Sequence, residues 1–242
     1  MEKKVNTNSV PISKKALSIK GIFSLTPFTL LDYPHKTACI VWFAGCNMRC
    51  LYCYNPEIVL GKGKIDFDSV LLFLKTRKGL LDGVVLSGGE CTLHKKIIDF
   101  IKEIKAMGFE VKIDTNGSNP KILNSLIRDQ LIDYVALDYK SLPHTFKKLT
   151  QSGLFSEFEE SLQLLIQSKI PFEIRTTFHS SLIKENDFVN MIAYLESKNF
   201  EGNYYVQHFM NNVPTLSKLD DSNKEIQLKD FSTPKIKVIF RD

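Results

Sequence analysis

The chain has 242 residues, 43% hydrophobic and 24% charged, with 32 Lys and Arg against 27 Asp and Glu for a net charge of +5. That fits one sizeable domain with its own core, and the modest positive charge suits an acidic partner without demanding one. The polar, lysine-rich start MEKKVNTNSVPISKK lacks the apolar run of about 7–15 residues that marks a signal peptide, and no later stretch reaches the ~18 apolar residues of a spanning helix. Secretion and membrane insertion are excluded on this reading, as is any specific nucleic-acid role, and a cytoplasmic location is expected. Thiols stay reduced there, so clustered cysteines more often bind metal or do chemistry than form disulfides.

Residues 1–20 read as a basic tail carrying Lys3, Lys4, Lys14 and Lys15, a solvated arm or one that steers an acidic partner. From Gly21, GIFSLTPFTL and KTACIVWF look like two extended segments joined by the turn-rich Asp32-Tyr33-Pro34-His35. The second runs into AGCNMRCLYCYNP, which places Cys46, Cys50 and Cys53 within eight residues of a chain with five cysteines. Helical and strand-like runs then alternate. A helix capped by Asp66 precedes the buried strand GVVLSGG, and HKKIIDFIKEIKAMG puts Ile97, Ile101, Ile104 and Met107 near one face before Gly108 ends it. The strand EVKID follows. Asn119-Pro120 starts a helix that leads into YVALD; Ser156 and Glu159 form a capping box before the helix preceding PFEIRTT; a last helix with Phe188, Met191, Ile192 and Leu195 leads to YYVQHF.

Six strands separated by helical connections imply an α/β fold with a parallel sheet, an incomplete (β/α)6 barrel over residues 21–210 with an N-terminal extended segment. A flat doubly wound sheet is the alternative. Residues 211–242 read as a C-terminal extension packed on the barrel, with KIKVIFR as a short edge strand after Pro234. Parallel barrels put their functional groups at the carboxyl ends of the strands. That rim would collect Cys46 to Cys53, Ser87-Gly88-Gly89-Glu90, Asp114-Thr115-Asn116, Asp138 with Lys140, Arg175-Thr176 and Gln207-His208.

A structural zinc site closes with four ligands, commonly from two knuckles, and this chain offers one C-x-x-x-C-x-x-C and no second pair. An iron-sulfur cluster takes one thiolate per iron, so three cysteines leave one iron of a four-iron cluster open to a ligand. The spacing, with aromatic Tyr52 before the third cysteine, resembles that of the radical S-adenosylmethionine enzymes, and Ser87-Gly88-Gly89-Glu90 resembles their GGE motif. The wider match FTLLDYPHKTACIVWFAGCNMRCLYCYNPEIV, with LDGVVLSGGE, DTNGSNP and LDYK, resembles the activating proteins of anaerobic ribonucleoside-triphosphate reductase. More broadly it resembles the glycyl-radical-enzyme activases, pyruvate formate-lyase activating enzyme among them.

The resemblance implies one [4Fe-4S] cluster held by Cys46, Cys50 and Cys53 and a bound S-adenosyl-L-methionine. Tyr52, Tyr54 and Asn55 would lie near the adenine, and Gly88, Gly89 and Glu90 would hold the methionyl end. Asp114, Thr115 and Asp138 resemble positions around a monovalent cation, and Lys140 and His208 resemble cofactor contacts. No catalytic residue beyond cluster and cofactor is implied. The implied partners are a glycyl radical enzyme as protein substrate and an electron donor such as flavodoxin or ferredoxin. Arg175 either grips a carboxylate or caps a structural ion pair.

The chain departs from its relatives at Leu51, where they have proline, at Tyr54, where they have histidine, at Cys91 after the GGE, and at His35 in the turn. Cys39 and Cys91 read as buried inert thiols, and Trp42 and Phe43 as barrel packing. Two other functions fit the loop: a radical enzyme acting on a small molecule such as a deazaguanine precursor, and a non-catalytic zinc-binding module.

Overall fold

The computed structural model describes residues 19–241. The expected basic tail therefore falls, up to residue 18, outside the described residues. In chain order the elements are β1 (Lys20–Thr29), β2 (Ala38–Phe43), α1 (Pro56–Leu60), β3 (Ile65–Asp66), α2 (Phe67–Lys75), β4 (Gly83–Gly88), α3 (Ile97–Ala106), β5 (Glu110–Thr115), α4 (Pro120–Arg128), β6 (Tyr134–Asp138), α5 (Pro143–Thr150), α6 (Phe155–Gln167), β7 (Phe172–Phe178), α7 (Glu185–Ser197), β8 (Gly202–His208) and β9 (Ile236–Arg241). All lie in or on one sheet of order β3-β1-β2-β4-β5-β6-β7-β8-β9.

From β2 to β9 every neighbouring pair is parallel, whereas β1 runs antiparallel to both β2 and β3. From β1 onward the order rises without a reversal, so the parallel part has no switch point of the kind a doubly wound sheet has. The sheet is an incomplete barrel: β3 and β9 end it and do not pair with each other. The expected edge strand is present as β9, parallel to β8 from Gly202↔Ile236 to Gln207↔Arg241.

Successive side chains on a strand face opposite ways. One set, Cys39, Val41, Phe43, Val84, Leu86, Val111, Ile113, Val135 and Leu137, is buried in the main core with the helices. Helix α3 supplies Ile97, Phe100, Ile101 and Ile104 to it, and the Phe43, Phe67 and Phe100 rings meet edge-on or stacked at 4.7–6.2 Å. Each such side chain contributes roughly 1.5–3 kcal/mol by leaving water. The alternate set faces the barrel interior; it joins a small apolar cluster of Ala38, Ile40 and Val85 with Tyr33 to a polar group of Ser87, Lys112, Asp114, Asp138, Glu173 and Arg175.

Two caps are as expected. The Asp66 side chain accepts from the Ser69 amide, and Asn119 accepts from Ile122 ahead of Pro120. The Ser156–Glu159 capping box does not form. Helix α6 begins two residues earlier than that cap requires, at Phe155 after Leu154, so Ser156 is already inside it; its hydroxyl donates to Glu157, and Glu159 is taken by Tyr194 and Lys198. Helices α1 and α5, opened by Pro56 and Pro143, were not expected from periodicity, being only 5 and 8 residues long.

Candidate functional site

The loop after β2 carries the three thiols, and neighbouring segments hold it through its backbone. Gly45 N–H donates to Ile58 O, Arg49 N–H to Thr150 O and Leu51 N–H to Leu149 O; Leu216 and Ser217 N–H donate to Cys53 O and Leu51 O. Against the end of β4 the contact is closer still. A Cβ at Gly89 would overlap Gly45 O, and one at Gly88, where φ is +114°, would overlap the Phe43 backbone. Only glycine lets the two strand ends meet in this way. The glycine pair thus seats the cysteine loop, a role distinct from opening space for a ligand.

Cys46, Cys50 and Cys53 all line one cavity of about 410 Å³, a volume suited to a small molecule. Tyr52, Tyr54, Asn55, Gly88, Gly89, Asp114, Asp138, Lys140 and Arg175 line it too, so most of the expected rim converges. Glu90, Thr115 and His208 are set back. The buried Glu90 carboxylate accepts from Thr92 N and Oγ1, Thr115 Oγ1 and Asn116 N, at 2.6–3.1 Å, and so pins the loop after β5 to the end of β4. Burial leaves its carboxyl above the ordinary range despite these donors. The buried His208 ring stacks on Phe240 of β9 at 5.4 Å.

On the cavity floor, charges alternate along the inner face of three strands. Asp114 Oδ1 meets Lys112 Nζ at 2.5 Å, and its Oδ2 meets Ser87 Oγ at 2.9 Å and Arg175 Nη1 at 3.4 Å. Asp138 Oδ1 accepts from Arg175 Nε and Nη2 at 3.1 and 3.0 Å, and Oδ2 from Lys140 Nζ at 3.1 Å. Of the two roles expected for Arg175, the structure shows the ion pair, joining both carboxylates. Burial alone would raise the Asp114 carboxyl, but the Arg175 and Lys112 charges and hydrogen bonds hold it at about 2. Asp138 is lowered likewise, by Lys140 and Arg175 against burial. Burial works against the Lys140 charge as well, and Asp138 more than offsets it.

Several contacts at the site were not expected, although Asn116 was on the expected rim and Lys112 does not itself line the cavity. Asn116 reaches Cys46 Sγ at 3.7 Å and Asn47 Oδ1 at 3.1 Å, and Met48 N–H donates to Cys46 Sγ at 3.4 Å. Trp42, expected to be packing, lines the cavity, its indole N–H on Thr26 at 2.9 Å. Lys112 was missed altogether. The alternation E-V-K-I-D was the available signal, since it puts Lys112 on the face of Asp114. Cys39 and Cys91 are fully buried as expected; burial pushes the first up to about 12, and Cys91 donates weakly to Asp114 O.

The residues fit a cluster and its ligand. Burial pushes the Cys46 thiol up to about 11, and it raises Cys50 with Lys140 opposing. Among the described residues no three His, Cys, Asp or Glu side chains converge on one ion position. A cluster with one thiolate per iron asks only that three thiols line one cavity. Tyr52 lines the cavity as well, and its hydroxyl is buried with no protein partner.

The model of the Radical SAM superfamily matches residues 40–195, more than half of the chain, and the protein belongs to that superfamily of enzymes. Its cofactors are accordingly a [4Fe-4S] cluster and S-adenosylmethionine. A Methanocaldococcus jannaschii protein bearing the name of a glycyl-radical enzyme activating enzyme is 35% identical over 72% of this chain and 72% of its own. The pyruvate formate-lyase-activating enzyme of Clostridium pasteurianum is 26% identical over 87% of this chain and 90% of its own. Among solved structures, Streptococcus suis SuiB bound to S-adenosylmethionine superposes with a TM-score of 0.58 at 12% identity, covering 84% of this chain and 52% of that one. The fold is shared with it, and the chain spans about half the length of that structure. Among the described residues no helix is long and apolar enough to cross a membrane.

Proposed function

We propose that this enzyme installs a glycyl radical on a partner enzyme, an anaerobic ribonucleoside-triphosphate reductase, taking its electron from a flavodoxin or ferredoxin. The observation that carries the reading is the 35% identity to the M. jannaschii activating enzyme across 72% of both chains. When bound, the cluster and cofactor supply reductive cleavage of the sulfonium and a 5′-deoxyadenosyl radical that abstracts hydrogen from glycine.

In this reading the chain's own residues divide the work by position. Cys46, Cys50 and Cys53 hold the cluster, and Asn116 and the Met48 amide donate toward Cys46 sulfur, tempering its charge. Lys140 presents positive charge to a cofactor carboxylate, and Arg175 holds Asp114 and Asp138, the second of which sets Lys140 in place. Tyr52, Tyr54 and Asn55 face the adenine, and Tyr54 is fixed by the Met210 amide at 2.7 Å and by stacking on Phe209. Gly88 and Gly89 keep the thiol loop against the strand that carries Ser87, while Glu90 and Thr115 brace the loop after β5.

The test is anaerobic reconstitution with cofactor, reductant and a candidate reductase, read by electron paramagnetic resonance. A glycyl-radical signal on the reductase is expected, and Cys50→Ala abolishes it together with cofactor cleavage. Cofactor cleavage without a radical on any glycyl radical enzyme would sink the partner assignment; full activity in Cys50→Ala would sink the cluster assignment.

A further inference from the structure

The oxygens that the resemblance assigns to a monovalent cation are those of Asp114, Thr115 and Asp138. In this chain every one is already engaged by the protein. Asp114 Oδ1 has Lys112 Nζ at 2.5 Å, and Asp114 Oδ2 has Ser87 Oγ and Arg175 Nη1. Asp138 Oδ1 has two nitrogens of Arg175, and Oδ2 has Lys140 Nζ. Thr115 Oγ1 donates to Glu90 at 2.9 Å and accepts from the Gly117 amide at 3.1 Å, turned away from both aspartates. These residues do not fit a bare ion.

We infer that Lys112 is the built-in cation of this site: its ammonium occupies the place of a monovalent ion beside Asp114, and the enzyme needs none. The placement is a property of the strand. Lys112 and Asp114 are two residues apart on β5, so their side chains rise from the same face. Lys112 is 1% exposed, and a lysine so buried is stable only when paired. An ammonium carries the charge of a potassium ion and replaces ion–oxygen contacts with up to three directed hydrogen bonds.

The charge pairing agrees. Lys112, Arg175 and Lys140 stand against Asp114 and Asp138, and the buried Glu173 on the same face has Arg241 at 3.8 Å, so each of these carboxylates is already met by a protein cation and a further ion has no unpaired charge to answer. Lys112 is thus a positioning residue. It fixes Asp114, which fixes Arg175, and through Asp138 the Lys140 ammonium that faces the cavity.

The test compares thermal melting of the iron-free protein in potassium, sodium, ammonium and choline chloride at equal ionic strength. S-adenosylmethionine affinity of the reconstituted protein is measured in the same salts. The wild type is expected to melt at one temperature and bind with one affinity throughout. Lys112→Met, which keeps the stem and removes the charge, is expected to melt roughly 6–12 °C lower in choline and to recover part of that loss in potassium or ammonium. A wild-type midpoint that rises in potassium over choline overturns the inference, as does a Lys112→Met midpoint indifferent to the cation. If Lys112→Met does not fold, the wild-type arm decides alone. The affinity arm rests on the cofactor reading above, but the melting arm does not, so a failed radical assay leaves it standing.

Discussion

The cysteine loop and the cavity floor face each other across one site and are held in different ways. The loop is held by its backbone, through amide and carbonyl bonds to α1, α5 and residues 216–217 and a glycine contact with β4. The floor is held by side-chain charge, through ion pairs running Lys112, Asp114, Arg175, Asp138 and Lys140. A backbone-held loop accepts new side chains wherever the main chain keeps its path, so Leu51 and Tyr54 can differ from the residues relatives carry. A charge-held floor tolerates replacement poorly, because removing one member leaves its partners short of opposite charge.

The sharpest way to break that contrast is Arg175→Met. It takes the shared partner from two partly buried carboxylates, each of which keeps a lysine, and is expected to cost about 3 kcal/mol, read from chemical denaturation of the iron-free protein. Arg175→Lys should restore only part, since one ammonium cannot span both aspartates. On the loop side, Gly89→Ala is expected to cost about 3 kcal/mol, because the new Cβ overlaps Gly45 O. Its diagnostic consequence is low iron content after reconstitution, with the floor intact. Leu51→Pro and Leu51→Ala, by contrast, should differ: proline removes the amide that donates to Leu149 O, whereas alanine keeps it.

Acid separates the two regions at smaller amplitude. The Asp114 carboxyl lies at about 2 in the folded chain against 3.8 for an ordinary aspartate, so its contribution is complete above pH ~4 and is lost as pH falls through about 2. It amounts to about 2 kcal/mol. Asp114→Asn should flatten the melting curve against pH across that window, which a pH series of thermal scans would show. The smallest effect expected is that of Tyr54→Phe. It removes the acceptor for the Met210 amide but keeps the stack on Phe209, for about 1 kcal/mol in thermal melting.

The outer layer of the sheet was legible in sequence because apolar runs such as GVVL and YVAL report burial directly, and because proline, asparagine and glycine marked the helix ends. The rim was legible too, since polar residues follow each strand. What escaped was what lies within the strands: Lys112 and Glu173 read as interruptions in apolar runs until the barrel interior gives them partners. Asn116 escaped as a sulfur neighbour because its approach to Cys46 depends on how two loops some 70 positions apart meet. The Ser156–Glu159 pattern misled because a capping box is a local motif, and the helix there starts two residues earlier than the box requires, at Phe155, while Glu159 is drawn to Tyr194 and Lys198.

The bonds that close the thiol loop also set an order of events during synthesis. Cys53 leaves the ribosome long before Leu149 and Thr150, whose carbonyls receive two of the loop's amides, and longer still before Leu216 and Ser217, whose amides complete it. A nascent chain that stops short of residue 217 already carries every thiol but lacks the donors that shape the loop around them. Iron loading in the final geometry therefore follows the synthesis of residue 217.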